Sequence, residues 1–127
     1  MKYLLDSCAL LWFAQGSEIM SESAFAAIED PASEIMVSTV SFWELSIKAA
    51  VGKLPLLLSP VELERLTLDA GITVLPLIVE HIDRFHQLPV EHRDAFDRLI
   101  AAIALSNELT IVSPDSAFDT LGVRRLW

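Results

Sequence analysis

The sequence is short of several things, and each shortage excludes a class of protein. It has one cysteine, Cys8, so no intrachain disulfide is available. Four glycines occur in 127 residues and never gather into a phosphate-cradling loop, which excludes a P-loop nucleotide site. No apolar run approaches the roughly 18 residues needed to span a bilayer. The N-terminus carries one lysine and then an aspartate at position 6, which is no signal-peptide pattern, so the expected compartment is the cytoplasm. His81, His86 and His92 show no metal-ligand spacing and read as surface or structural residues. Positive charge is also scarce: 9 basic residues stand against 18 acidic ones, a net charge of −9. Nucleic-acid binders are usually basic, because phosphate neutralisation drives their affinity. Charge alone therefore argues against nucleic acid; it equally suits carboxylates gathered around a metal ion, or a basic protein partner.

What is present is a hydrophobic chain, 53% apolar and 21% charged, which rules out disorder. Residues 1–127 are expected to form a single domain with a real core and no internal repeat or linker. Apolar runs alternate with helical patterns. KYLL, EIMVS, ITVLPL and LTIVS read as four strands, with VRRLW as a fifth at an edge. Helices are expected over 8–14, 21–30, 40–50, 59–70, 79–87 and 94–107, several with recognisable ends such as the Ser59-Pro60 start. The alternation predicts an α/β/α sandwich with a mostly parallel sheet of four to five strands. Such sheets bind ligands beyond the carboxyl ends of their strands, which directs attention to the polar residues placed there.

Asp6 follows the first strand directly. It suits a helix N-cap and a metal ligand equally well, and its position alone does not separate the two. Glu44 lies in VSFWELSIKAAV. At about 100° per residue, Val40, Trp43, Ile47, Ala50 and Val51 form one apolar side and Phe42, Leu45 and Ala49 another. Ser41, Glu44 and Lys48 make a polar strip between them. A helix apolar on two sides is expected to be substantially buried, and a surface Glu44–Lys48 pair does not explain those flanks. In HRDAFDRLIAAIAL, Asp94 reads as the N-cap, pointing away from the core stripe, while Asp97 borders that stripe and is the better site candidate. Asp115, in IVSPDSAF, is a common turn residue, raised above that reading by its place just past a buried strand. Cys8 reads as a small core residue, and Trp12, Trp43 and Trp127 as packing rather than a base-stacking platform.

If Asp6, Glu44, Asp97 and Asp115 converge, their mutual repulsion calls for a hard cation. Oxygen ligands without histidine or cysteine point to Mg2+ or Mn2+ and to phosphodiester hydrolysis. Lys48, Lys53, Arg93 and Arg98 are the cations near the acids in sequence.

LLDSCALLW, VSTVSFWELSIKAAVGKL, HRDAFDRLIAAIAL and LTIVSPDSAF resemble, in order and separation, the successive motifs of PIN-domain ribonucleases, and most of all the VapC-type toxins of toxin–antitoxin pairs. The resemblance covers nearly the whole chain. It implies a PIN-like α/β/α sandwich, a homodimer, Mg2+- or Mn2+-dependent cleavage of RNA, and a small antitoxin whose tail blocks the acidic site. The family's acids fall on Asp6, Glu44, Asp97 and Asp115 as catalytic and metal-binding residues; Ser7, Lys48 and Arg93 are candidates for contacting substrate. Ser7 stands where threonine is more usual and Ala95 where proline is frequent. Ser7 is available to cap the first helix, leaving Asp6 to the cation. Exposed apolar residues around Trp12, Phe42 and Leu57 are the expected dimer surface. The competing reading is a PIN-like binding module without catalysis. A phosphoryl-transfer receiver fits less well, since no lysine follows Lys53, and a haloacid-dehalogenase-type phosphatase lacks its second aspartate, with Cys8 in that place.

Overall fold

Lys2–Leu5 forms the central strand β1 because its side chains are wanted on both sides of a sheet: Leu4 and Leu5 are fully buried and enter opposite cores. The computed structural model describes residues 1–54, 58–89 and 94–127; Leu57, His92 and Arg93 lie outside these. Around β1 run β2 (Glu34–Ser38), β3 (Thr73–Leu75), β4 (Thr110–Val112) and β5 (Arg125–Leu126). The order is β3-β2-β1-β4-β5, and every pairing is parallel. An all-parallel sheet has both faces covered, and the helices do this: α1 (Ser7–Gln15), α2 (Glu22–Glu29) and α4 (Pro60–Asp69) on one side, α5 (Val79–Gln87) and α6 (Ala95–Ser106) on the other. Between them, α3 (Thr39–Ala50) contributes Phe42 and Leu45 to the first core and Val40 to the second. The expected sandwich is present, with five strands. Among the described residues no helix is long and apolar enough to cross a membrane.

The helix starts follow local chemistry. Ser59 accepts from Glu62 N while Glu62 accepts from Ser59 N, a reciprocal cap in front of Pro60. Ser59→Ala is expected to cost about 1 kcal/mol, read as a fall of a few degrees in Tm. Gly71, at φ 80, turns the chain out of α4 in a conformation that strains any side chain.

Three differences from the sequence reading have physical causes. Ser116–Leu121 is a short 3-10 helix capped by Asp115, which accepts from Ala117 N at 2.9 Å. It has too few residues to show a period, and it exists because it buries Phe118 and Leu121. The α3 helix is fully covered on one apolar side, where Phe42 and Leu45 are buried; on the other only Val40, in its first turn, is buried, whereas Trp43 is 58% exposed and Val51, at its end, 62%. Of the expected dimer surface, Phe42 is buried and Trp12 lies 5.6 Å from Trp127, half-buried against the core.

Candidate metal centre

The register of the sheet brings the polar residues to one edge. Leu5 pairs with Val37 on one side and Val112 on the other, so Asp6, Ser38 and Ser113 follow at the same level. Asp6 N donates to Val112 O, which continues the strand one residue further. The Asp6 side chain is buried and caps α1, accepting from Ala9 N at 2.8 Å. Of the two residues available for the cap, Asp6 takes it and Ser7 does not; the extended backbone at Asp6 suits the role. Burial pushes the Asp6 carboxyl from its ordinary 3.8 up to about 6. The Ser113 hydroxyl and Ala9 N–H work against that rise, and the negative charges of Glu44 and Asp115 add to it.

Ser7 is freed to reach across to α3, where its hydroxyl donates to Glu44 Oε1. The other oxygen of Glu44 meets Lys48 Nζ at 2.8 Å. Both the helical ion pair and the buried carboxylate are therefore present: Glu44 is 3% exposed, and Lys48 reaches it from the solvent side. Cys8 is half-buried beside the same acids; burial, then the charge of Asp6, pushes its thiol up to about 11, so it stays protonated at neutral pH.

From the far side comes the start of α6. One carboxylate oxygen each from Glu44, Asp94 and Asp97 lie within 4.8 Å of one another. Asp94 caps α6, accepting from Phe96 N and Asp97 N, as expected. Its place in the cluster was not expected. The helical wheel turns it away from the core stripe, but a cap residue is not helical, and at φ −74 and ψ 106 its side chain does not follow the wheel. Asp97, the preferred candidate, is in the cluster and half-buried. Asp6 and Asp115 are outside this closest group: Asp6 lies on the floor, within electrostatic reach of Glu44, and Asp115 is exposed beyond β4.

Two of the rim cations, Lys48 and Arg98, are engaged. Arg98 stacks 4.3 Å above the Phe85 ring and donates to Phe85 O, while Lys53 is exposed. His81 is buried, accepts from Ile78 N and faces Asn107, a structural position.

The donors of the cluster suit a hard divalent cation. They are carboxylate oxygens gathered from two helices, which repel one another unless a cation intervenes. Ser41 supplies a second observation. Its hydroxyl, one helical turn before Glu44 on the same polar strip, is fully buried and has no hydrogen-bond partner. An unpaired buried hydroxyl is costly, and a hydrated cation held at Glu44 offers the kind of partner it lacks.

These features define a parallel α/β/α domain with a cluster of acids at the edge beyond the carboxyl ends of its strands. The PIN domain family model matches residues 3–123, and the chain belongs to the PIN domain family. Comparison with curated proteins finds no match. Among solved structures, the fold is similar to VapBC2 from Rickettsia felis bound to a promoter DNA fragment (TM-score 0.65, 16% identity, 99% of this chain and 98% of that one). It is also similar to VapBC-1 from nontypeable Haemophilus influenzae (0.65, 20%, 99% and 97%). A third is VapBC-5 from Mycobacterium tuberculosis, described as a member of the VapBC family of toxin–antitoxin systems (0.60, 15%, 98% and 98%).

Proposed function

We propose that this chain is a metal-dependent endoribonuclease, acting as the toxin of a toxin–antitoxin pair. The carboxylate cluster of Glu44, Asp94 and Asp97 carries this reading. Membership of the PIN family and the likeness to VapBC proteins support it. On this reading the chain is one PIN domain over 1–127, works in the cytoplasm as a homodimer, and is held in check by a cognate antitoxin.

Mg2+ or Mn2+, when bound, supplies a Lewis acid for the phosphodiester and a water acidic enough to attack at neutral pH. Glu44, Asp97 and Asp94, with Asp6 beside Glu44, would hold the ion. Asp6 sets the floor of the site and Asp115 its far wall, and both complete the catalytic set with Glu44 and Asp97. Ser7 fixes the Glu44 carboxylate through a hydrogen bond, and Lys48 balances its charge. Lys48 and Ser7, both bonded to Glu44, are the candidates for meeting the scissile phosphate beside it, as is Arg93, which lies outside the described residues.

The test is cleavage of RNA by the purified, antitoxin-free protein. Cleavage is expected with Mg2+ or Mn2+, is lost with EDTA, and falls about a hundredfold in Asp97→Asn, in line with losing one charged stabiliser of the transition state. A wild type that cleaves no RNA with either metal, or an Asp97→Asn variant as active as wild type, overturns the proposal.

A further inference from the structure

Both carboxylate oxygens of the buried Glu44 have a partner. Oε1 accepts from the Ser7 hydroxyl, and Oε2 meets Lys48 Nζ at 2.8 Å. The two partners are held differently. Ser7 is buried at the start of α1, whereas the Lys48 side chain is 41% exposed and reaches Glu44 from one turn further along α3. Lys48 is also within electrostatic reach of Asp94. One ammonium therefore feels two of the three acids that the cluster of Glu44, Asp94 and Asp97 offers to a cation.

We propose that Lys48 is an exchangeable cation of this site: its ammonium holds Glu44 in the metal-free protein, gives that oxygen up to a divalent ion, and then turns to the phosphate of the RNA strand. The inference rests on the ribonuclease reading above. An ion shared by the three acids needs an oxygen of Glu44, and a second cation bonded to the same carboxylate repels it. Of the two groups on Glu44, Lys48 is the one that can leave. Its flexible stem carries the charge back into water. Ser7 is enclosed, and its hydroxyl would be left without an acceptor. The released ammonium stays tethered one helical turn from Glu44, beside the place where a phosphate would meet the ion. Arg98 is less free to do this, since it is laid on the Phe85 ring and donates to Phe85 O. The exchange also fits the charge balance. A chain of net charge −9 repels a polyanion, and here a cation becomes available to phosphate when the ion is in place. Metal and RNA then favour the same position of Lys48, so each strengthens the binding of the other.

The sign of one measurement separates exchange from simple support. If Lys48 only steadied Glu44, removing it would weaken the hold on a metal; exchange requires the opposite. Lys48→Met is expected to bind Mn2+ about fivefold more tightly in titration calorimetry, the factor matching the loss of an exposed ion pair. The same variant should raise KM for a single-stranded oligoribonucleotide roughly tenfold, as for one lost contact to a charged group. Lys48→Arg should recover most of the KM. The chain has three lysines, Lys2, Lys48 and Lys53, so the side-chain amine signal of Lys48 can be assigned in lysine-labelled protein by its loss in Lys48→Met. That signal should move on adding Mg2+. If Lys48→Met binds Mn2+ no better than wild type, or the Lys48 signal stays in place while Mg2+ binds, or KM is unchanged, the exchange is overturned; where wild type still cleaves RNA, the ribonuclease reading stands. If wild type neither binds Mn2+ nor cleaves RNA, the ribonuclease reading falls and takes the exchange with it.

Discussion

Asp6→Asn is expected to make the metal-free protein more stable at pH 7.5, by about 2–3 kcal/mol, and to remove most of the stabilisation that Mn2+ gives the wild type. Burial holds the Asp6 carboxyl at about 6 in the folded protein, against 3.8 ordinarily. The folded state therefore keeps this proton to a higher pH than the unfolded state does. Well below pH 3.8 both states hold the proton and Asp6 costs nothing; stability falls as pH rises from 3.8 through 6, and above 6 nearly the whole penalty is in force. Asparagine has no charge to desolvate, and its side-chain oxygen can still accept from Ala9 N as an equally good cap. The gain should thus be small at pH 4 and nearly full by pH 7, where it raises Tm by roughly 10 °C for a domain of this size. Wild type should recover that ground on adding Mn2+, since binding to the folded state alone stabilises it; Asp6→Asn should respond much less. Melting curves from pH 4 to 8, with and without Mn2+, measure both effects. Identical curves for the two proteins across that range would remove Asp6 from the metal centre.

The contrast between Asp6 and Asp94 shows what can be read from a linear sequence. The sheet was legible because buried parallel strands are nearly continuous apolar runs, and KYLL, EIMVS and LTIVS are such runs bounded by polar residues. The acids at strand ends were legible because a topological rule says where a parallel sheet keeps its ligands. Asp94 reads correctly as a cap, while a wheel that turns it from the core stripe does not reveal its place beside Glu44 and Asp97. A wheel assumes helical backbone, and the cap is the first residue that departs from it. The division of labour between Asp6 and Ser7 was hidden for a related reason. Which of two adjacent polar residues caps a helix depends on what the other finds, and Ser7 finds Glu44, 37 residues away.

Trp43 marks a different limit. Helical periodicity shows that α3 has two apolar sides, but not which of them the rest of the chain covers. Packing against α1 and α4 covers the side of Phe42 and Leu45, and Trp43, Ile47 and Val51 stay exposed. An apolar residue left outside beside a cluster of acids is information that only the tertiary structure carries. The 3-10 helix after Asp115 is a milder case, since it is defined by the burial of Phe118 and Leu121 rather than by any repeat.

Glu44→Gln should have the largest effect on catalysis and a small one on folding. Glutamine has nearly the same shape, and its side-chain oxygen can still accept from Ser7, so that buried hydroxyl keeps a partner. The lost ion pair involves a lysine that is 41% exposed, and pairs of that kind contribute at most about 1 kcal/mol. Stability without metal should accordingly change by no more than about 1 kcal/mol. The metal centre has no such tolerance. Glu44 is the most buried carboxylate of the three-acid cluster and the only one contributed by α3, so neutralising it leaves Asp94 and Asp97 to hold the ion from one helix end. Losing several kcal/mol of charge stabilisation in the transition state corresponds to a fall in kcat of about a thousandfold. Calorimetry should show weakened Mn2+ binding in parallel, while the denaturant midpoint stays close to that of wild type. Retention of both Mn2+ affinity and activity in Glu44→Gln would show that the buried Glu44 serves α3 and Lys48 alone, and would move the reaction away from this cluster.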